Sequence, residues 1–337
     1  MKFPFYIGDG TRYRSESPAK LPVSPRSQLL KPECYIADPG LKDACNVALL
    51  LGQPLLLTGE PGTGKTQFAY SLAWELGFEP PLKFETKSTS TARDLFYTYD
   101  ALKRFQDAQS GVVSSSPLDY ITYQALGLAI LQTRNLTEVE ELLPSNFHHP
   151  GKTRSVILID EIDKAPRDFP NDLLNEVEHM YFCIPEFGNK RIEADPALQP
   201  ILIITSNSEK DLPDAFLRRC IYYNIPFPEQ ECLAEIITNR LGIYTSNSNK
   251  FLQDALNLFY RLRAPQSGLR KKPATAELLS WLLTIKTLSS DLDDPLAELD
   301  VLLPTLSSLV KTAEDQEKAK KLVERWMQEQ KKITQAG

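Results

Sequence analysis

Apolar positions along the chain follow two rhythms. Short, almost unbroken apolar runs at residues 55–57, 156–159, 201–205 and 221–225 are too brief for helices, and Pro54 and Gly59 bracket the first of them. They predict buried strands, with a further strand at residues 83–86. Around and between these runs the apolar residues recur at helical spacing. Leu41, Ala44, Ala48 and Leu51 precede the first strand, and Phe68, Ala69, Leu72, Ala73 and Leu76 follow it, with Gly77 placed to end that helix. Strands that are apolar on both faces and separated by helices predict a parallel sheet covered on both sides, so the first domain reads as α/β.

Beyond residue 228 only the helical rhythm remains. Leu233, Ile236, Ile237 and Leu241 share one face, Phe251, Leu252, Ala255, Leu256 and Phe259 another, and a charged helix near residues 318–330 offers Leu322, Val323 and Trp326 for packing. The expected organisation is a Pro-rich tail over residues 1–30, broken by Pro18, Pro22 and Pro25, an α/β domain over 31–227, and an all-helical domain over 228–337. The α/β domain carries an insert around residues 95–150, read as a loop at 111–116 and a helix at 120–131. Aromatic and aliphatic residues flanking Gly188 and Asn189 predict a β-hairpin over 181–194.

Length and composition narrow this picture only a little. A chain of 337 residues suits one large domain and one small one. The net charge of -6 weighs against a protein whose main task is gripping a phosphate backbone, while leaving room for local basic loops. The five cysteines, Cys34, Cys45, Cys183, Cys220 and Cys232, have no CxxC pairing and read as structural thiols of a reducing compartment. No unbroken apolar stretch follows Met1 and no run approaches the roughly 20 residues that span a bilayer, so a cytoplasmic location is expected, without a membrane partner.

The chemistry is concentrated at strand ends. Gly59, Glu60, Pro61, Gly62, Thr63, Gly64, Lys65 and Thr66 form a complete P-loop between an apolar strand and an amphipathic helix. Its glycines let backbone N–H groups turn toward phosphate oxygens, aided by the positive end of the following helix. Lys65 would reach the β- and γ-phosphates of ATP, and the Thr66 hydroxyl would coordinate Mg2+. Asp160 and Glu161 end the third strand and point in different directions: Asp160 suits the magnesium shell, and Glu161 suits orienting the attacking water. Asn207 follows the fourth strand, which would lie beside the third, so its amide would meet the same water and the γ-phosphate. His148 and His149 lack ligand-like spacing and are assigned no metal.

With the P-loop, Asp160-Glu161, Asn207 and the segment Leu212, Pro213, Asp214, Ala215, Phe216, Leu217, Arg218, Arg219, the chain resembles an AAA+ ATPase. Lys164, Ala165 and Pro166 followed by Leu173, Leu174 and Val177, with the insert after the second strand, resemble the MoxR-like group of the helix-2-insert clade. This resemblance implies an AAA+ P-loop NTPase domain with a helical lid, hexameric rings with ATP bound between subunits, and a protein partner that often contains a von Willebrand factor A domain. It also implies an arginine reaching the neighbouring subunit's γ-phosphate, at Arg218 or Arg219. Where relatives place a lid arginine this chain has Arg270, Lys271, Lys272 and Pro273; Lys272 would act there as a point charge, or the run is a solvated helix start. Tyr35 and Ile36 match the segment that lines the adenine pocket, or serve core packing. Three functions remain open at this stage: an ATPase that remodels a protein partner, a DNA- or RNA-directed motor, and a nucleotide-dependent assembly switch in a defence or signalling system.

Overall fold

The computed structural model describes residues 29–111, 116–144, 147–243, 250–288, 296 and 298–336, so all but the last two residues of the expected tail lie outside it. The described residues form two compact units, one of residues 35–60 and 65–226, the other of residues 29–34, 61–64 and those described from 227 onward. Strands of the first unit are, in chain order, β1 (Leu55–Thr58), β2 (Leu82–Glu85), β3 (Tyr97–Tyr99), β4 (Ile121–Tyr123), β5 (Val156–Asp160), β6 (Tyr181–Ile184), β7 (Lys190–Glu193), β8 (Ile201–Thr205) and β9 (Ile221–Asn224).

All five expected strands, the four apolar runs and the further one at residues 83–86, join one parallel sheet in the order β2–β5–β8–β1–β9. The pleat divides their side chains between two cores. Leu56, Ile157, Ile159, Leu202 and Ile204 face one way, into a cluster with Leu126, Ala129 and Ile130. Leu55, Leu57, Val156, Leu158 and Ile203 face the other way, against Leu41, Cys45 and Ala48 of helix α1 (Pro39–Leu51) and Phe68, Ala69 and Leu72 of α2 (Lys65–Glu75). Burial on both faces is why these strands read as continuous apolar runs. Helix α1 starts where the Asp38 side chain accepts from the Leu41 amide at 3.1 Å and stops at left-handed Gly52. Strand β2 starts one residue earlier than expected, and Thr86 follows it with its amide still donating to the Asp160 carbonyl at 3.2 Å.

The insert differs from expectation. It contains α3 (Ala101–Gln109) and α4 (Ala125–Gln132), but the helix expected from residue 120 begins only at Ala125. Ile121–Tyr123 instead pairs antiparallel with Tyr97–Tyr99. Its β-branched and aromatic residues alternate, with Ile121 and Tyr123 buried and Thr122 exposed, which is strand chemistry running directly into a helical apolar stretch. The expected hairpin is β6–β7, turned through Gly188 and Asn189, both at positive φ. The two ribbons share an aromatic cluster in which Phe182 stacks on Phe96 at 5.5 Å and meets Tyr123 at 6.1 Å.

The second unit is helical throughout its described residues after Phe227: α5 (Gln230–Leu241), α6 (Lys250–Arg263), α7 (Thr275–Leu288), α8 (Leu299–Leu309) and α9 (Ala313–Ala336), with short 3-10 turns. Leu233, Ile237, Leu256, Phe259, Trp281, Leu282, Val323 and Trp326 build its core. Both buried indoles are satisfied, Trp281 Nε1 donating to Thr305 Oγ1 and Trp326 Nε1 to Asn257 Oδ1, each at 3.0 Å.

Helix α4 passes so close to the residue before β3 that a Cβ on Gly127 would fall 2.0 Å from the Phe96 carbonyl oxygen, which also accepts from the Gln124 amide at 2.8 Å. Alanine normally favours a helix over glycine by about 1 kcal/mol. At this position the order reverses: Gly127→Ala is expected to destabilise the protein by about 1–3 kcal/mol in urea unfolding, the scale of an overpacked core.

Candidate functional site

The loop from β1 to α2 follows a path that side chains resist. Gly62 has φ +79° and Gly64 φ +95°, a region open to glycine, so the spacing of these glycines is set by the backbone. Lys65, the first residue of α2, is buried, and its Nζ donates to the carbonyls of Gly59 at 2.8 Å and Glu60 at 3.0 Å. Burial lowers its pKa from the ordinary lysine value, and the negative charges of Asp163, Asp160 and Glu161 pull in the opposite direction.

The next residue meets the central strands. Thr66 Oγ1 donates to Asp160 Oδ1 at 2.9 Å, and Thr205 Oγ1, at the end of β8, donates to the same oxygen at 2.7 Å. Thr205 also accepts the Glu161 amide at 2.9 Å. The other carboxylate oxygen, Asp160 Oδ2, takes the Lys83 ammonium at 3.1 Å, which in turn bonds Glu85 Oε1 at 2.8 Å. Burial disfavours the Lys83 charge, yet hydrogen bonds to Glu85 and Asp160 outweigh it and hold the pKa above that of ordinary lysine. Asp160 therefore sits at the carboxyl end of the sheet with its orientation fixed from α2, β8 and β2, the edge where open parallel sheets bind ligands.

Glu161 leaves the strand in a left-handed turn at φ 57° and ψ 52°. For a residue other than glycine this costs of order 1–3 kcal/mol. The turn carries its carboxylate away from Asp160 to Asn207, whose Nδ2 donates to Oε1 at 3.0 Å, while Lys164 forms an ion pair with Oε2. The loop bearing Asn207 is stapled down by Asp163, buried and accepting the Asn207 amide at 3.2 Å and the Glu209 amide at 3.0 Å. The expected group of Lys65, Thr66, Asp160, Glu161 and Asn207 is thus assembled at neighbouring strand ends. Thr205, Asp163 and Lys83 are parts of it that the sequence pattern did not single out, and Lys164, quoted only within the MoxR-like segment, joins them. Thr205 and Lys83 carry the only visible hint, polar residues inside otherwise apolar or alternating strands.

The remaining expected residues belong to other elements. Arg218 and Arg219 follow a short helix, Asp214–Leu217, and are exposed; Arg219 Nε pairs with Glu178 Oε2 at 2.8 Å and holds that carboxyl below the usual range. Tyr35 and Ile36 are half-buried, with the Tyr35 ring edge-on to Phe68 of α2 at 5.9 Å. Lys272 is exposed just before α7, in a segment fixed where buried Asp315 accepts the Arg270 and Lys271 amides at 3.0 and 3.1 Å. Burial pushes the Cys45 thiol up to about 11 and Cys220 to about 12, as expected of unreactive structural thiols.

The donors around Asp160 suit a hard cation. The Thr66 hydroxyl and the Asp160 carboxylate present oxygen atoms 2.9 Å apart, and the Thr86 hydroxyl just after β2 is buried without a hydrogen-bond partner. Mg2+ takes few protein oxygens and keeps its other positions for phosphate and water, so this sparse set fits.

Parallel sheet, P-loop and paired strand-end carboxylates define a P-loop NTPase. The family model for the ATPase family associated with various cellular activities (AAA) matches residues 55–228, just over half of the chain, and the chain belongs to this family of nucleotide-hydrolysing ATPases. It is 27% identical over 138 residues to RuvB-like helicase 1 of Neurospora crassa, a match spanning 37% of this chain and 26% of that protein. It also resembles the RuvB Holliday junction branch migration motor of Thermotoga maritima, with a TM-score of 0.41 and 16% identity over 80% of this chain and 66% of that one. The chain therefore covers about a quarter of the curated relative's length. No helix among the described residues is long and apolar enough to cross a membrane.

Thr205→Val removes one hydroxyl that serves both carboxylate residues and leaves the Glu161 amide without its acceptor. It is expected to cost about 1–3 kcal/mol in urea unfolding, most of which Thr205→Ser restores.

Proposed function

We propose that this chain is the subunit of a hexameric, MoxR-like ATP-hydrolysing ring that remodels or activates a partner protein. The observation that carries the reading is the Glu161–Asn207 contact of 3.0 Å, beside the pair formed by Asp160 and Thr66. In this reading the P-loop amides and Lys65 bind the phosphates of ATP, and Thr66 and Asp160 hold Mg2+, which neutralises phosphate charge. Glu161 orients and polarises the attacking water, and Asn207 fixes the Glu161 carboxylate and the water together. Tyr35 and Ile36 border the adenine, and Lys272 supplies a point charge where relatives use arginine. Arg219, or its neighbour Arg218, leaves the chain's own surface to complete the next subunit's site.

The partner in this reading is a protein, of the kind that carries a von Willebrand factor A domain. A net charge of -6 favours a protein partner over a phosphate backbone, and the insert and the β6–β7 hairpin are the surfaces that would work against it. The match to RuvB-like helicase 1 favours a second reading, a DNA- or RNA-directed motor. A third, an assembly switch in a defence or signalling system, uses the same site with slow hydrolysis as its reset.

ATPase rates measured against protein concentration, with assembly followed by light scattering, test the proposal. The rate per subunit is expected to rise as rings form. Glu161→Gln should assemble yet lose about 10²–10⁴ in rate, and replacing the finger arginine should cost roughly 10³–10⁵. Equal rates at every dilution would contradict the ring. A rate raised by double-stranded DNA and falling steeply with salt would move the assignment to the nucleic-acid motor.

A further inference from the structure

The register of the sheet creates an electrostatic problem at Asp160. Strand β2 pairs with β5 so that Glu85 stands opposite Asp160, and Lys83, two residues before Glu85, shares its face of the sheet. Two carboxylates side by side on adjacent strands repel, and a cation between them is required. The Lys83 ammonium fills that place, 3.1 Å from Asp160 Oδ2 and 2.8 Å from Glu85 Oε1. The two partners are unequal. The Asp160 side chain is 12% exposed and the Glu85 side chain 71%, so the first contact is made in a poorly screened setting and the second in water.

We propose that Lys83 is a built-in competitor for the divalent cation at Asp160. This rests on the reading of Asp160 and Thr66 as the magnesium-holding pair. Lys83 neutralises Asp160 when the cation is absent and swings to Glu85 when a cation takes its place, a short move because both carboxylates already lie within reach of the same ammonium. Glu85 thus serves as the parking position, and the balance between the two carboxylates sets how much free Mg2+ is needed before nucleotide is held tightly. Neither residue touches the reacting atoms in this account; Lys83 is a positioning residue that acts through Asp160.

The two partners move the balance in opposite directions, which a merely structural role would not do. A fluorescent ADP analogue is bound to the full chain at stepped free Mg2+ concentrations, and the Mg2+ giving half of the metal-dependent gain in affinity is read. Lys83→Met is expected to lower that concentration roughly three- to tenfold, the scale of one partly screened charge. Glu85→Gln, which commits Lys83 to Asp160, should raise it by a similar factor, and Lys83→Arg should stay near wild type. Should Lys83→Met fail to fold, the exposed Glu85→Gln variant decides alone. Wild-type binding with no shift in Glu85→Gln, or shifts of the same sign in both variants, overturns the competitor role. Wild type that takes up no nucleotide at any Mg2+ concentration overturns the nucleotide reading and the competitor role together.

Discussion

One carboxylate oxygen, Asp160 Oδ1, holds the centre of this molecule together. The hydroxyl near the start of the P-loop helix, Thr66, and the hydroxyl that ends β8, Thr205, both donate to it, so α2 and two adjacent strands are tied to a common point. The same Thr205 hydroxyl takes the Glu161 amide, which fixes where the chain turns as it leaves β5. From that turn follow the left-handed Glu161, its contact with Asn207, and the seating of the Asn207 loop on Asp163.

The site is also a small electrostatic machine. Carboxylates of Asp160, Glu161, Asp163 and Glu85 crowd one edge of the sheet, and Lys65, Lys83 and Lys164 are interleaved among them. The lysines are not equivalent. Lys65 is buried and its charge is disfavoured by that burial, while the charges of Asp163, Asp160 and Glu161 favour it. Lys83 and Lys164 are each held above the ordinary lysine value by hydrogen bonds to carboxylates of the site, so they remain cations across the physiological range. Strain at Glu161 is tolerated because Thr205, Asn207 and Lys164 together determine its position.

What could be read in advance tracks how local each cause is. Strands β1, β5 and β8 declare themselves because burial on both faces makes each a short apolar run, and the P-loop because its glycines answer to backbone angles within the loop. The β3–β4 ribbon stayed hidden, since Ile121, Thr122 and Tyr123 abut the apolar run of α4 and a three-residue strand leaves no period to count. The roles of Thr205, Asp163 and Lys83 stayed unread for another reason. Their roles depend on which strands are neighbours and in what register, and a threonine closing an apolar strand looks the same whether or not an aspartate lies beside it. Asn207 was the exception, because adjacency of the third and fourth strands was itself an expectation of the parallel sheet.

If Lys65, Thr66 and Asp160 hold nucleotide and Mg2+ as proposed, residues 59–66, 160–164 and 205–209 are expected to respond to it together through Asp160. Hydrogen–deuterium exchange of the full chain with and without ATP and Mg2+ tests it most directly. The account predicts that the three segments gain protection together, and that Asp160→Asn removes the gain from all of them. Protection confined to residues 59–66, or unchanged in Asp160→Asn, would contradict it.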